Sequence, residues 1–302
     1  MSKLREPRPA TTFLGLSRAN LRHVLTSLRQ GRNPAARVYD SIGADFFLAP
    51  APGWLNLGLW EGAGTAKEAP AAVRRLVHVL AADLPTGGVI VDVGNGLGAQ
   101  DPEIATVARP RALVAVNITE SQLRAGHEAL KIARAWPVAG DAVHLPLKDD
   151  SADGVISVEA AFHFRSRAAF FAEAHRVLKP GGVLTISDVA TERRPHRLDE
   201  WAAGLLTARV WGLRREAVMT GDEMAGAARS AGLRNVEVER CSDRVIDPAL
   251  SFFRDRLRDA GSAPFSHRLG AAVVLASWRL LRRRRMIDYI VLRARAPIQT
   301  TL

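Results

Sequence analysis

A glycine-rich turn directly after a buried strand is the feature that most restricts the fold of this 302-residue chain. The strand covers residues 89–93, and Gly94, Gly96 and Gly98 follow it before a helical stretch. Such a short apolar run is typical of a strand buried in a parallel sheet. Glycines without Cβ atoms allow a tight turn whose backbone can approach a ligand closely. The sequence therefore predicts an α/β fold with a nucleotide-like ligand at this turn.

Strands and helices alternate through the middle of the chain, which predicts a doubly wound α/β sheet. The apolar runs predict strands at 89–93, 112–116, 154–158 and 183–187, and the 3.6-residue periodicity predicts helices from about 66, at 120–134 and at 167–178. After Asp188 the helices have mixed faces, and strands are expected at 236–240 and 286–292. We expect an N-terminal cap segment at 1–65 and one domain at 66–302, with helical insertions at about 193–220 and 248–283.

The composition restricts the class of protein. Cys241 is the single cysteine, which excludes a disulfide framework and a cysteine-rich metal site and fits a reducing cytosol. No apolar run reaches the roughly 18 residues that a membrane-spanning helix needs. The basic N-terminus lacks the apolar stretch of a signal peptide. We therefore expect a cytoplasmic protein, and no metal site, because the histidines show no ligand spacing.

The net charge of +11 is concentrated at the two ends of the chain. Residues 1–40 hold eight Lys or Arg against two acids, and residues 279–302 hold seven Arg against one acid, so each end carries +6. The rest sums to −1, which argues against a nucleic-acid groove. Both ends place apolar positions beside arginines, for example 271–281 before 282–285 with Trp278 at the boundary. Peripheral contact with an anionic membrane is one interpretation. Packing of these segments on the domain with solvated arginines is a second interpretation. Binding of an anionic acceptor such as an isoprenyl diphosphate, or of RNA, is a third.

Three features near the turn bear on the identity of its ligand. Gly94-x-Gly96-x-x-Ala99 also satisfies the dinucleotide fingerprint, so an NADP-dependent oxidoreductase stays open at this point. However, Asp92 places a carboxylate inside the strand, where it could meet a cationic ligand. Asp141 ends the third strand region, where it could accept from an adenine amino group, and residues 176–182 form a helix–turn–strand signature. A non-catalytic or RNA-associated protein with the same fold is a third hypothesis.

With these motifs in this order, residues from about 70 to 190 resemble the class I S-adenosylmethionine-dependent methyltransferases. The resemblance is to the type 11 branch, with its ubiquinone/menaquinone, tocopherol, sterol and natural-product methyltransferases. It implies a seven-stranded Rossmann-like sheet with the last strand antiparallel, an N-terminal helical cap, helical lid insertions and S-adenosylmethionine as cofactor. The cofactor-binding residues that it implies are Asp92, Gly94, Asn95, Gly96, Gly98, Asn117, Ile118, Gln122, Asp141 and Ala142.

Two of these positions depart from the usual family pattern. Asn117 stands where many relatives have an acidic residue that grips the ribose hydroxyls. This resembles mycolic-acid cyclopropane synthases, in which a neutral residue and a later glutamine, here Gln122, share the ribose. Asn95 stands where Cys, Ser or Thr is more usual, and we interpret it as a loop variation.

Glu159 and His163 follow the fourth strand, beside the position where this fold holds the reactive methyl group. They are four residues apart, so one helical turn would bring them to the same face. His163 could take a hydroxyl or amine proton, and Glu159 could stabilise or deprotonate a carbocation. Alternatively, Glu159 binds backbone donors and His163 packs as a shelf. We expect C- or O-methylation of a small, largely apolar acceptor such as an isoprenoid, polyketide, quinone or lipid.

Overall fold

A computed structural model describes residues 49–211, 213, 218–259 and 265–298. The apolar and arginine positions within the basic N-terminal segment, residues 1–40, lie outside these described residues. Within the described part, seven strands form one sheet: β1 (Val89–Val93), β2 (Ala112–Asn117), β3 (Ala135–Ala139), β4 (Ala152–Val158), β5 (Leu178–Thr191), β6 (Arg234–Arg240) and β7 (Ile287–Arg295).

The strand order is β3-β2-β1-β4-β5-β7-β6. β1 to β5 pair in parallel, and β7 runs antiparallel between β5 and β6. This confirms the predicted doubly wound sheet with an antiparallel last strand. Because β1, β2 and β4 are parallel neighbours, their carboxyl ends meet at one edge of the sheet.

Nine helices of the described residues surround the sheet: α1 (Ala69–Ala81), α2 (Asp101–Ala108), α3 (Glu120–Ala125), α4 (His127–Ala133), α5 (Arg167–Val177), α6 (Leu198–Val210), α7 (Gly221–Ser230), α8 (Ser242–Asp259) and α9 (Phe265–Arg283). The single helix predicted at 120–134 is wrong, because two helices meet at Gly126. A Cβ there would lie 2.4 Å from the carbonyl oxygen of Leu97, so the glycine lets the loop after β1 approach.

Apolar residues cover both faces of the sheet. On one face, Val73, Leu76, Val77 and Leu80 of α1 are fully buried at the predicted helical spacing. On the other face, α5 contributes residues such as Phe170. Full burial of each such side chain stabilises the fold by about 1.5–3 kcal/mol. Helices on both faces leave the carboxyl edge of the sheet free for a site.

The last helix, α9, packs along α6. Ser277 Oγ donates to the carbonyl of Ala203 at 3.0 Å, and the rings of Trp278 and Trp211 lie 6.0 Å apart. Trp278 therefore packs against the carboxyl end of α6. None of the helices in the described residues combines the length and apolar character needed to cross a bilayer.

The arginine run at 282–285, at the carboxyl end of α9, is different from the expected cationic cluster. Three of the four guanidinium groups form ion pairs with acids elsewhere in the domain: Arg282 with Asp247, Arg284 with Asp199 and Arg285 with Glu192. Consecutive residues near a helix end point in different directions, about 100° apart. A run of four arginines in the sequence therefore does not form one basic surface.

Candidate active site

A cavity of about 690 Å³ lies at the carboxyl ends of β1, β2 and β4. This volume is typical of a site for a small molecule or cofactor. Ten of the twelve predicted site residues line it: Gly94, Asn95, Gly96, Asn117, Ile118, Gln122, Asp141, Ala142, Glu159 and His163. The segment before α1 also contributes to the wall, with Gly53, Leu55 and Asn56, which the sequence analysis did not identify.

The three glycines of the turn all have positive φ angles, which favour glycine, but for different reasons. A Cβ at Gly94 would lie 2.5 Å from the Cβ of Ala160, so this glycine lets two loops pack together. A Cβ at Gly98 would meet Asp101 and Leu130, both at 3.3 Å. Gly98 therefore serves packing beneath the turn, and it is not among the residues that line the cavity.

Asp92 likewise lies behind the cavity wall. It is fully buried, and its Oδ2 accepts a hydrogen bond from Gln100 Nε2 at 3.0 Å. Burial and the nearby carboxyl of Asp101 raise the pKa of Asp92 well above its ordinary value. Gln100 lines the cavity and Asp92 does not. The alternation of residues along β1 could not show that Asp92 lies behind the cavity wall, because both faces of the strand are buried.

The two amide residues after β2 are in direct contact. Asn117 Nδ2 donates to Gln122 Oε1 at 3.0 Å and to the carbonyl of Gly96 at 3.1 Å. The backbone N–H of Thr119 donates to Asn117 Oδ1 at 3.1 Å. These bonds link the turn after β1 to the loop after β2. The structure thus brings together the pair that the family resemblance suggested.

Asp141 lies on the same wall beside a cation that the sequence analysis missed. Its Oδ2 accepts from Arg165 Nη2 at 2.9 Å, and its Oδ1 accepts from the backbone N–H of Val143 at 3.1 Å. Ala142 is buried next to it. Among the described residues that line the cavity, Arg165 is the one arginine, and this ion pair neutralises it.

Glu159 is held in an unusual backbone conformation at the end of β4. Its φ of 48° lies in the left-handed region, which non-glycine residues seldom adopt and which is often found at functional sites. The carboxylate oxygen Oε1 accepts hydrogen bonds from the backbone N–H of Leu57 at 2.8 Å and from the Tyr289 hydroxyl at 2.7 Å. Burial outweighs these bonds and raises the pKa of Glu159 to about 8.

His163 ends a short 3₁₀ turn at Ala161–His163 rather than a turn of α-helix, although it lines the same cavity as Glu159. Burial, together with the positive charge of Arg167, lowers the pKa of His163 to about 3. The imidazole is therefore neutral throughout the physiological pH range.

A buried ion pair supports this turn from behind. Arg167 Nη2 lies 2.8 Å from Asp188 Oδ2, and both side chains are almost fully buried. Asp188 Oδ1 accepts from the backbone N–H of Phe162 at 3.3 Å, which ties the 3₁₀ turn to the end of β5. Breaking a buried pair of this kind leaves an uncompensated charge in the core.

Comparison with known proteins gives a consistent result. Residues 91–186 match the family model described as "Methyltransferase domain". The chain is 32% identical over 251 residues to erythromycin 3''-O-methyltransferase of Saccharopolyspora erythraea, covering 78% of this chain and 80% of that protein. It is 30% identical to 27-O-demethylrifamycin SV methyltransferase of Amycolatopsis mediterranei, covering 80% and 90%. The fold superposes on a cyclopropane synthase from Mycobacterium tuberculosis with a TM-score of 0.70 at 18% identity, covering 87% of this chain and 97% of that one.

Proposed function

Because this chain belongs to the class I S-adenosylmethionine-dependent methyltransferases, we propose that it methylates a hydroxyl oxygen of a small, largely apolar, polyketide-like acceptor. Its cofactor is S-adenosylmethionine, which supplies an electrophilic methyl group when bound. The name of the first relative given above describes an O-methyltransferase. The name of the second describes a methyltransferase whose acceptor is a 27-O-demethyl compound. That similarity supports oxygen as the acceptor atom.

The donor set of the cavity fits a cofactor without phosphates. The single arginine among its described lining residues is paired with Asp141, so no unpaired guanidinium is present to neutralise the phosphates of a dinucleotide. Asn117 and Gln122 would hold neutral hydroxyl groups, and Asp141 would accept from an adenine amino group. The backbone at Gly96 is open to the cavity, where an added Cβ would come within 3.3 Å of Leu55. We assign these residues to cofactor binding.

The observation that carries the proposed chemistry is the Glu159 carboxylate at the cavity wall. Two donors hold its Oε1, which leaves Oε2 to accept a proton from the acceptor hydroxyl. A general base is most effective when its pKa lies near the working pH, and a pKa of about 8 meets that condition. The hydroxyl proton passes to Glu159 while the oxygen gains the methyl group. Glu159 is therefore assigned as the general base.

His163 takes a different role in this proposal. With a pKa of about 3 it is a weak proton acceptor at neutral pH, but its neutral ring can still hydrogen-bond to the acceptor. Burial and the positive charge of Arg167 keep the ring neutral, and the hydrogen bond from Phe162 to Asp188 holds the turn in place. We assign His163 to orienting the hydroxyl toward Glu159. This differs from the sequence interpretation, in which His163 took the hydroxyl proton and Glu159 stabilised or deprotonated a carbocation.

The test uses a panel of hydroxylated macrolides and ansamycins, with methylated products identified by mass spectrometry. Glu159→Gln is expected to lower kcat by roughly 10²–10⁴-fold. Its affinity for S-adenosylhomocysteine, measured by calorimetry, should stay within about threefold of wild type, since the variant leaves the proposed cofactor contacts intact. Wild-type kcat/KM should rise with pH up to about 8, as Glu159 loses its proton, and the variant should not show this rise.

Glu128→Gln is the matched control, because Glu128 is exposed on α4 and does not line the cavity. It is expected to behave as wild type. Near wild-type turnover of Glu159→Gln would refute the general-base assignment. A product methylated on carbon or nitrogen would refute the assignment of oxygen as the acceptor atom.

A further inference from the structure

A second cavity lies between α8 and α9 and shares no lining residue with the active-site cavity. Its volume is about 640 Å³, and two kinds of side chain line it. Seven are apolar, including Leu257, Leu269 and Leu280. The other five are arginines: Arg254, Arg258, Arg268, Arg279 and Arg283. We call this surface the arginine groove.

Most of the positive charge in the arginine groove has no internal partner. Asp255 pairs with Arg254 at 2.7 Å and with Arg258 at 3.5 Å. The other three arginines have no carboxylate within 4.0 Å among the residues that the structure describes. The Nε atom of Arg268 is buried and has no hydrogen-bond partner there either. An unpaired buried donor is unfavourable and is satisfied when an anion binds.

An exposed apolar row runs along α9 beside these arginines. Phe265, Leu269 and Val273 are 77%, 53% and 47% exposed and are spaced four residues apart, so they lie along one side of the helix. In the described part of the chain, six of the ten exposed large apolar side chains lie on α9 and its neighbour α6. Those on α6 are Leu198, Trp201 and Leu205. Concentrated exposed apolar surface marks an interaction site.

The occupant of this face must be both anionic and apolar. The N-terminal 40 residues carry +6, so electrostatic repulsion disfavours that segment of the chain as the occupant. Nucleic acid would match the arginines but not the aliphatic row. An interfacial helix combines these features, with apolar side chains entering the acyl boundary and cations beside the phosphates. α9 has 19 residues and is therefore about 28 Å long at about 1.5 Å per residue, enough for several headgroups.

We propose that the arginine groove and the apolar row of α9 dock on the surface of a bilayer that contains anionic phospholipid. This surface is distinct from the catalytic cavity, and the inference does not depend on the acceptor assigned above. Docking would place a lipophilic acceptor and the enzyme on the same surface. It also gives a role to Arg268, Arg279 and Arg283, which have no acidic partner among the described residues. Arg282, Arg284 and Arg285, in contrast, are paired.

Co-sedimentation of the full chain with vesicles tests this inference. One set of vesicles contains phosphatidylglycerol and phosphatidylcholine, and the other contains phosphatidylcholine alone, each at 50 mM and 500 mM salt. We expect binding to the anionic vesicles at low salt, loss of most of it at high salt, and little binding to the neutral vesicles. A blank without vesicles detects association between copies of the chain.

Two variants locate the surface. Arg268→Gln/Arg279→Gln/Arg283→Gln should weaken binding by about a hundredfold, since each arginine near an anionic surface contributes about fivefold. Leu269→Ser/Val273→Ser should weaken it at least tenfold, and both residues are exposed, so the fold is retained. The charge-matched control is Arg134→Gln/Arg229→Gln/Arg234→Gln, which removes three exposed arginines elsewhere.

The control variant should bind as wild type. The proposal is overturned if wild type does not bind anionic vesicles at low salt, or if both triple variants lose affinity equally. Pelleting without vesicles that disappears in Leu269→Ser/Val273→Ser would also overturn it, and would assign the face to a second copy of the chain. Retained binding in both groove variants would assign vesicle binding to another part of the chain.

Discussion

A carboxyl group buried beneath the glycine turn is expected to reduce the stability of the free enzyme at neutral and alkaline pH. Asp101 is fully buried; its Oδ2 accepts from Asn95 Nδ2 at 3.2 Å. Its Oδ1 has no hydrogen-bond partner among the described residues. Burial raises the pKa of Asp101 from 3.8 to about 7. Replacement by asparagine keeps the size and removes the charge.

The sign of the effect follows from proton binding. Between the unfolded pKa of 3.8 and the folded pKa of about 7, the folded state binds more protons than the unfolded state. Stability contributed by this group therefore falls as pH rises through that range and is constant above it. At about 1.4 kcal/mol per pKa unit, the loss between pH 5 and pH 8 is about 2–3 kcal/mol. Asp101→Asn should gain that amount relative to wild type.

Urea unfolding at pH 5, 6, 7 and 8 measures the effect. Subtracting the wild-type free energy of unfolding from that of Asp101→Asn at each pH cancels the titrating groups that do not interact with Asp101. The difference should increase from pH 5 to about pH 7 and then level off. Asp153→Asn is a control of opposite sign: despite partial burial, hydrogen bonds from Lys179 and from the backbone of Val89 lower the pKa of Asp153. It should be less stable than wild type at every one of these pH values. A difference for Asp101→Asn that does not change with pH would refute the reasoning.

Two further predictions concern packing around the site. Gly94→Ala should destabilise the fold by about 2–4 kcal/mol, because its Cβ would lie 2.5 Å from that of Ala160 in addition to the unfavourable positive φ. Gly87→Ala, with a similar φ and no atom within 4 Å, should lose only about 1–2 kcal/mol, and equal losses in urea unfolding would contradict the packing argument. Asp188→Asn should destabilise by about 3–5 kcal/mol by leaving the buried charge of Arg167 without its partner, and a loss below about 1 kcal/mol would disprove this.

Position after a strand was sufficient to predict much of the site. Carboxyl ends of parallel strands meet at one edge, so the place of the glycine turn could be predicted from local order. The Asn117–Gln122 pair, in contrast, was implied by the family resemblance. The partners of Glu159 could not, because Leu57 and Tyr289 are 102 and 130 residues away along the chain. The periodicity of a local sequence segment cannot predict contacts between residues so far apart in the chain.

The local sequence pattern also could not predict how deeply a side chain such as Asp92 is buried. Asp92 stands one residue from the carboxyl end of β1, and the sequence does not reveal that Gln100 covers it. The arginine run at 282–285 was also misleading, because three of its four side chains pair with acids up to 93 residues away. Charge in a sequence predicts a basic surface only when the acids facing it are known.

Because β7 lies between β5 and β6, this part of the sheet can be completed only after β7 has been synthesised. Among the described strands, β6 pairs only with β7, so as the chain leaves the ribosome both β6 and the edge of β5 wait for β7, the last of these strands to be made. Tyr289 arrives with that strand, and its hydroxyl is one of the two donors on the Glu159 carboxylate. Domains form as units once their non-local pairings are available. A nascent chain therefore acquires both donors on the Glu159 carboxylate only when the sheet closes, and unfinished chains remain without one of them.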